Sequence, residues 1–145
     1  MISSPAFKTG ERIPDKFTCR GENISPMLVF SGVPANAKGI AMVMDDPDAP
    51  MGTFVHWVVW NIPGTVKEVA EGVRNIGVDG VGTSGRPGYH GPCPPPGHGP
   101  HRYFFKAYAL DALLELKPGS DKTALEEAME GHVLAKAELM GLYER

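Results

Sequence analysis

The chain has 145 residues, 42% of them hydrophobic, and a formal net charge of -3. That length suits a single domain, expected to span residues 1–145, and a near-neutral balance with no basic stripe excludes an electrostatic nucleic-acid surface. Glycine contributes 18 residues and proline 14, nearly twice an ordinary usage of about 12%. There is no Gly-X-Y period. The excess therefore reads as turns between short elements, which favours a sheet-rich fold over a helix bundle.

In chain order, residues 27–30 form a short apolar strand after Ser25-Pro26, and residues 39–44 form a second, leading into Asp45-Asp46. Residues 54–62, rich in Val and Trp, and residues 102–110, alternating aromatic and small, give two more. One helix follows. Ser120 or Asp121 can cap it, Leu125, Ala128 and Met129 share a face, and Gly131 can stop it. The tail at 132–143 is open: its alanines favour a helix, yet Val133, Ala135, Ala137 and Leu139 alternate as in a strand. The Gly- and Pro-rich stretch at 91–100 is expected to be an ordered loop. As a linker it would leave a second unit of about 45 residues, close to the lower limit for independent folding.

No apolar run approaches the ~20 residues of a membrane-spanning helix; the strongest, residues 53–62, carries His56. The amino terminus, Met-Ile-Ser-Ser-Pro, lacks the charged and apolar regions of a signal peptide, so the expected compartment is the cytoplasm. In that reducing setting Cys19 and Cys93, which form no CxxC pair, are expected to be free thiols. A thermophilic source would reverse that expectation.

Three clusters carry chemistry. Asp46 and Asp48 sit among prolines in the loop Asp-Asp-Pro-Asp-Ala-Pro that ends at Pro50. They read either as half of a cation site or as an acidic turn capping its own backbone N–H groups. His56 reads as a satisfied core residue or, if the chain doubles back antiparallel, as a partner that Asp46 orients or keeps charged. Residues 94–103 bring His98, His101, Arg102 and Tyr103 together with stiffening prolines. That set suits donation to an anion, or a rigid loop with a salt-bridged arginine. No HxH, HExxH or GxSxG pattern supports metal hydrolysis or acyl transfer, and no metal or cofactor is expected.

Two motifs then resemble the phosphatidylethanolamine-binding protein family, the Raf kinase inhibitor-like proteins, in its short bacterial and archaeal branch. One is Asp46-Pro-Asp-Ala-Pro50 followed by Phe54-Val-His56-Trp57 and Asn61; the other is Gly91-Pro-Cys-Pro-Pro-Pro-Gly97 followed by His101-Arg-Tyr103. The resemblance covers essentially the whole chain. It implies a mainly β fold, a large antiparallel sheet packed on a smaller one with few short helices, and a strand at about 133–142. It also implies a small surface pocket for phosphate, acetate or a phosphoethanolamine head group. The pocket residues carried over are Asp46, Asp48, Pro50, Phe54, His56, Pro94, Pro95, His101 and Tyr103, while Arg102 is expected to point away. Larger members carry a C-terminal helix beside the pocket that this sequence lacks, so their lipid binding and kinase inhibition are not carried over.

The expected function is a binding or regulatory module for a small anionic ligand, which a partner protein can carry as a phosphorylated side chain. Homodimerisation is expected where the shortened end leaves apolar surface. Two alternatives stand: a hydrolase-like enzyme using Asp46 and His56 as an acid–base pair, and a protein–protein inhibitor with a vestigial pocket. In the binding reading, Asp46 raises the pKa of both His56 and His101 and keeps them charged near neutral pH.

Overall fold

The four apolar runs expected as strands are strands, and the tail is a fifth. The computed structural model describes residues 1–145. Its elements are β1 (Ile2–Ser3), a 3-10 turn at Asp15–Phe17, β2 (Leu28–Phe30), β3 (Gly39–Asp46), β4 (Phe54–Pro63), β5 (Glu68–Val69), β6 (Val78–Asp79), β7 (His101–Leu110), α1 (Lys122–Met129) and β8 (Val133–Tyr143). The strands form a five-stranded sheet of order β6-β4-β3-β7-β8 and a three-stranded sheet of order β1-β2-β5. Every pairing between named strands is antiparallel.

β3 lies at the centre of the large sheet and all eight of its residues are buried, which is why its sequence is almost continuously apolar up to Asp45. On one face, Met42, Met44, Trp57, Val59, Phe105 and Leu139 pack against Ile2, Leu28, Phe30 and Val69 of the small sheet. On the other, Ala41, Val43, Val58 and Trp60 pack against Leu125 and Met129 of α1. Asp121, the N-cap of α1, accepts a hydrogen bond from the Ala124 N–H at 2.9 Å, which satisfies one orphan donor of the first turn. Gly131 follows the helix with a φ of 80°. The tail is extended because β8 pairs with β7 along its length, from Leu110↔Val133 to His101↔Tyr143. Tertiary pairing thus overrides the helix preference of its alanines.

β4 departs twice from plain alternation. Ile40 pairs with Ile62 but Met42 with Val59, leaving an extra residue on β4. Asn61 absorbs it with a φ of 57°; its side chain donates to Leu114 O at 2.9 Å and accepts the Leu114 N–H at 2.8 Å. The second departure lies at the functional end of the sheet.

Candidate functional site

Met44 pairs with Trp57, but Asp45 pairs with Val55, so His56 is the extra residue of a β-bulge. Strict alternation from Trp57 would turn His56 toward α1. The bulge instead puts it on the face of Tyr103, with ring centroids 5.3 Å apart, and 4.6 Å from the Phe54 ring. Successive side chains of β3 also part company. Asp45 is buried against Lys106 and Lys122, at 3.2 and 3.0 Å, while Asp46 faces the other way, toward His101.

Both oxygens of the Asp46 carboxylate are engaged. Its Oδ1 accepts the Asp48 N–H at 2.7 Å, and its Oδ2 lies 2.7 Å from His101 Nδ1. Both side chains of this pair are almost completely buried, at 3% and 2% exposure. His101 Nε2 in turn lies 2.6 Å from Nδ1 of His98, producing a chain Asp46–His101–His98 that runs from the protein interior to an exposed loop.

His56 is held differently from expectation. Its Nδ1–H donates to the carbonyl of His90 at 2.7 Å, since a carbonyl can only accept. That fixes the tautomer and leaves Nε2 for the cleft. Burial holds the His56 pKa below its ordinary value, outweighing the His90 carbonyl and the Asp46 charge. The expectation that Asp46 orients His56 and keeps it charged is therefore corrected: the Asp46 charge does favour the protonated ring, but burial outweighs it, and the carboxylate oxygens are engaged by His101 and by the Asp48 N–H. Tyr103 is buried and its hydroxyl is pushed up, first by burial and then by the Asp46 charge, so it stays a neutral phenol.

Asp46, Pro50, Phe54, His56, Pro94, Pro95, His101 and Tyr103 line one open cleft of about 390 Å³. Asp48 does not. Its carboxylate accepts from Arg102 N, Nε and Nη2, each at 2.9 Å, and the guanidinium lowers the Asp48 pKa to about 2. Arg102 accordingly extends outward and does not line the cleft. Asp48 and Arg102 tie the loop after β3 to the start of β7, and so fix the spacing of the residues that do line it.

The proline-rich loop is held from three sides. Cys19 and Cys93 form a disulfide with Cα atoms 5.4 Å apart, which corrects the expectation of two free thiols. Their separation of 74 residues hid the pairing, which exists because residues 17–23 fold back onto Gly91. A Cβ on Gly91 would overlap Phe17 O and Asn23 Oδ1, and the Gly91 N–H donates to Asn23 Oδ1 at 2.8 Å. From the other end of the chain, Arg145 Nε donates to Pro94 O at 2.6 Å, and Arg145 O accepts the Gly97 N–H at 3.0 Å.

The family model described as phosphatidylethanolamine-binding protein matches residues 3–144. The chain belongs to the phosphatidylethanolamine-binding protein family. A UPF0098 protein of Pyrococcus horikoshii is 51% identical, over 98% of this chain and 75% of that one. A UPF0098 protein of Methanothermobacter thermautotrophicus is 50% identical, over 99% and 98%. Among solved structures, Escherichia coli YbcL, a member of the mammalian phosphatidylethanolamine-binding protein family, superimposes with a TM-score of 0.91 at 32% identity, covering 100% of this chain and 98% of that one.

Membership in the phosphatidylethanolamine-binding protein family accounts for the two sheets and the tail strand. It does not account for every residue at the cleft. Arg86, Ser84, Asn23 and His90 also line it, and none of them is among the expected pocket residues. Arg86 and Ser84 lie in a turn whose only signal is the run Thr-Ser-Gly-Arg-Pro-Gly, where the Ser84 hydroxyl accepts the Arg86 N–H at 3.3 Å. No helix is long and apolar enough to cross a membrane.

Proposed function

We propose that this chain is a binding module whose cleft takes a small anionic group, a phosphate or carboxylate, free or carried on a partner. The observation that supports this best is the mixture of groups on one open cleft: a guanidinium (Arg86), a neutral phenol (Tyr103) and imidazoles, with the single carboxylate of Asp46 already matched by His101. A matched carboxylate repels an anion less than a bare one. His90 Nε2, buried without a hydrogen-bond partner, is a further polar group available to a ligand. A neutral His56 with its proton on Nδ1 presents an acceptor at Nε2, so the best ligand offers one O–H beside its charged oxygens. A phosphate carrying one proton has both.

The same reading has a second copy, or a partner protein, covering the open rim formed by Pro50, Phe54 and Pro95. We keep the cytoplasm as the compartment, where the Cys19–Cys93 disulfide would have to resist reduction. Titration with phosphate, acetate and phosphoethanolamine, followed through the backbone amides of His56, His90, Gly91 and Tyr103, tests the site. Saturable shifts concentrated on those four are expected. Shifts confined to another surface would move the site elsewhere.

A further inference from the structure

His101 has only one ring nitrogen to offer a ligand. Its Nδ1 is committed to Asp46, and an imidazole nitrogen makes one in-plane hydrogen bond. The remaining nitrogen, Nε2, is already met by His98 Nδ1 at 2.6 Å, with the two rings edge-on and their centroids 4.9 Å apart. His98 and a ligand oxygen therefore compete for the same hydrogen bond.

Of the two rings, His98 is the one on the surface. His98 is exposed and sits between Gly97 and Gly99, whose φ angles of 75° and 84° are ones that side-chain-bearing residues rarely adopt. Its own backbone is anchored only by a turn bond to Pro95 O at 3.2 Å. His101, by contrast, lies in β7 and is buried, so the exposed partner is the one that moves.

We propose that His98 is a gate on the cleft: in the unliganded protein its imidazole fills the position on His101 Nε2 that a ligand oxygen takes, and binding requires its displacement. This rests on the anion-binding reading above. The closed gate lowers apparent affinity by the fraction of molecules with His98 swung out. Removing it should tighten binding. A hydrogen bond of ordinary net strength corresponds to a gain of roughly three- to tenfold.

The experiment is calorimetric titration of inorganic phosphate into wild type, His98→Ala and, as the site control, His101→Ala. The gate predicts about three- to tenfold tighter binding by His98→Ala, with its melting temperature unchanged because His98 is exposed, and loss of binding by His101→Ala. Unchanged or weaker binding by His98→Ala, with wild type binding and His101→Ala not, overturns the gate and leaves the site intact. Absence of binding by both wild type and His98→Ala overturns the anion-binding reading and the gate with it.

Discussion

His101 Nδ1 lies 2.7 Å from Oδ2 of Asp46, with neither side chain more than 3% exposed. The pair sits where β3 and β7 run side by side, and removing one partner strands the other in a dry environment. Asp46→Ala leaves the His101 N–H without an acceptor and should destabilise the protein by about 1–3 kcal/mol. Asp46→Asn retains a carbonyl oxygen of nearly the same reach and should lose clearly less. Urea unfolding of the two variants beside wild type measures both values; equal losses would mean that the bond contributes little.

The depressed pKa of His56 gives stability a definite pH dependence. Folded His56 binds its proton more weakly than unfolded His56, whose value is about 6.5. Its contribution is therefore complete above about pH 6.5 and is lost progressively as pH falls below it. Asp48, held down by Arg102 to about 2, adds a second loss that begins near its ordinary value of about 3.9 and continues toward its folded one. Melting curves from about pH 8 downward should be flat at first and then decline. Proton NMR titration of the His56 ring should show a midpoint below the ordinary histidine value; a midpoint above it would contradict the role given to burial.

The same state of His56 separates two ligands. Sulfate carries no proton near neutral pH and meets an acceptor at Nε2, so it should bind more tightly as pH falls through the His56 midpoint, where His56 becomes a donor. Phosphate brings its own O–H and should bind on both sides of that midpoint. Competition titrations decide this, and sulfate binding that strengthens with rising pH would remove His56 from the site.

Reduction of Cys19–Cys93 frees a loop closed over 74 residues of sequence separation. The chain-entropy estimate for such a closure is about 4 kcal/mol. Guanidinium unfolding with and without reductant, or of Cys93→Ser, should show a loss within the usual range of about 2–5 kcal/mol. A change below about 0.5 kcal/mol would mean that Arg145, Asn23 and Gly91 already hold the loop without the disulfide.

Most of this fold is legible in the amino-acid sequence, for reasons that belong to particular residues. Residues 39–44 announce themselves as a short apolar run and residues 54–62 through β-branched and aromatic side chains, and Asp121 through its position before Leu125. The strands of two residues, β1, β5 and β6, are too short to leave a periodic signal. The tail could be assigned from family resemblance alone, because alanine fits either state and β7 decides between them. At the site, residue types were legible and partners were not. Asp46 stands ten positions before His56 and 55 before His101, yet β3 has neighbours on both sides, and the bulge at His56 and the register with β7 choose the distant one. The same dependence on register and loop path concealed the Cys19–Cys93 bond, Arg86 and the contact of His98 with His101.

The central claim is that a single cleft, with His101 at its base, binds a small oxyanion. Calorimetric titration of phosphate into wild type and His101→Ala at neutral pH tests it most directly, with circular dichroism confirming that the variant is folded. Saturable one-site binding by wild type and none by the folded variant is the predicted result. No binding by wild type, or the same affinity in both proteins, would contradict it.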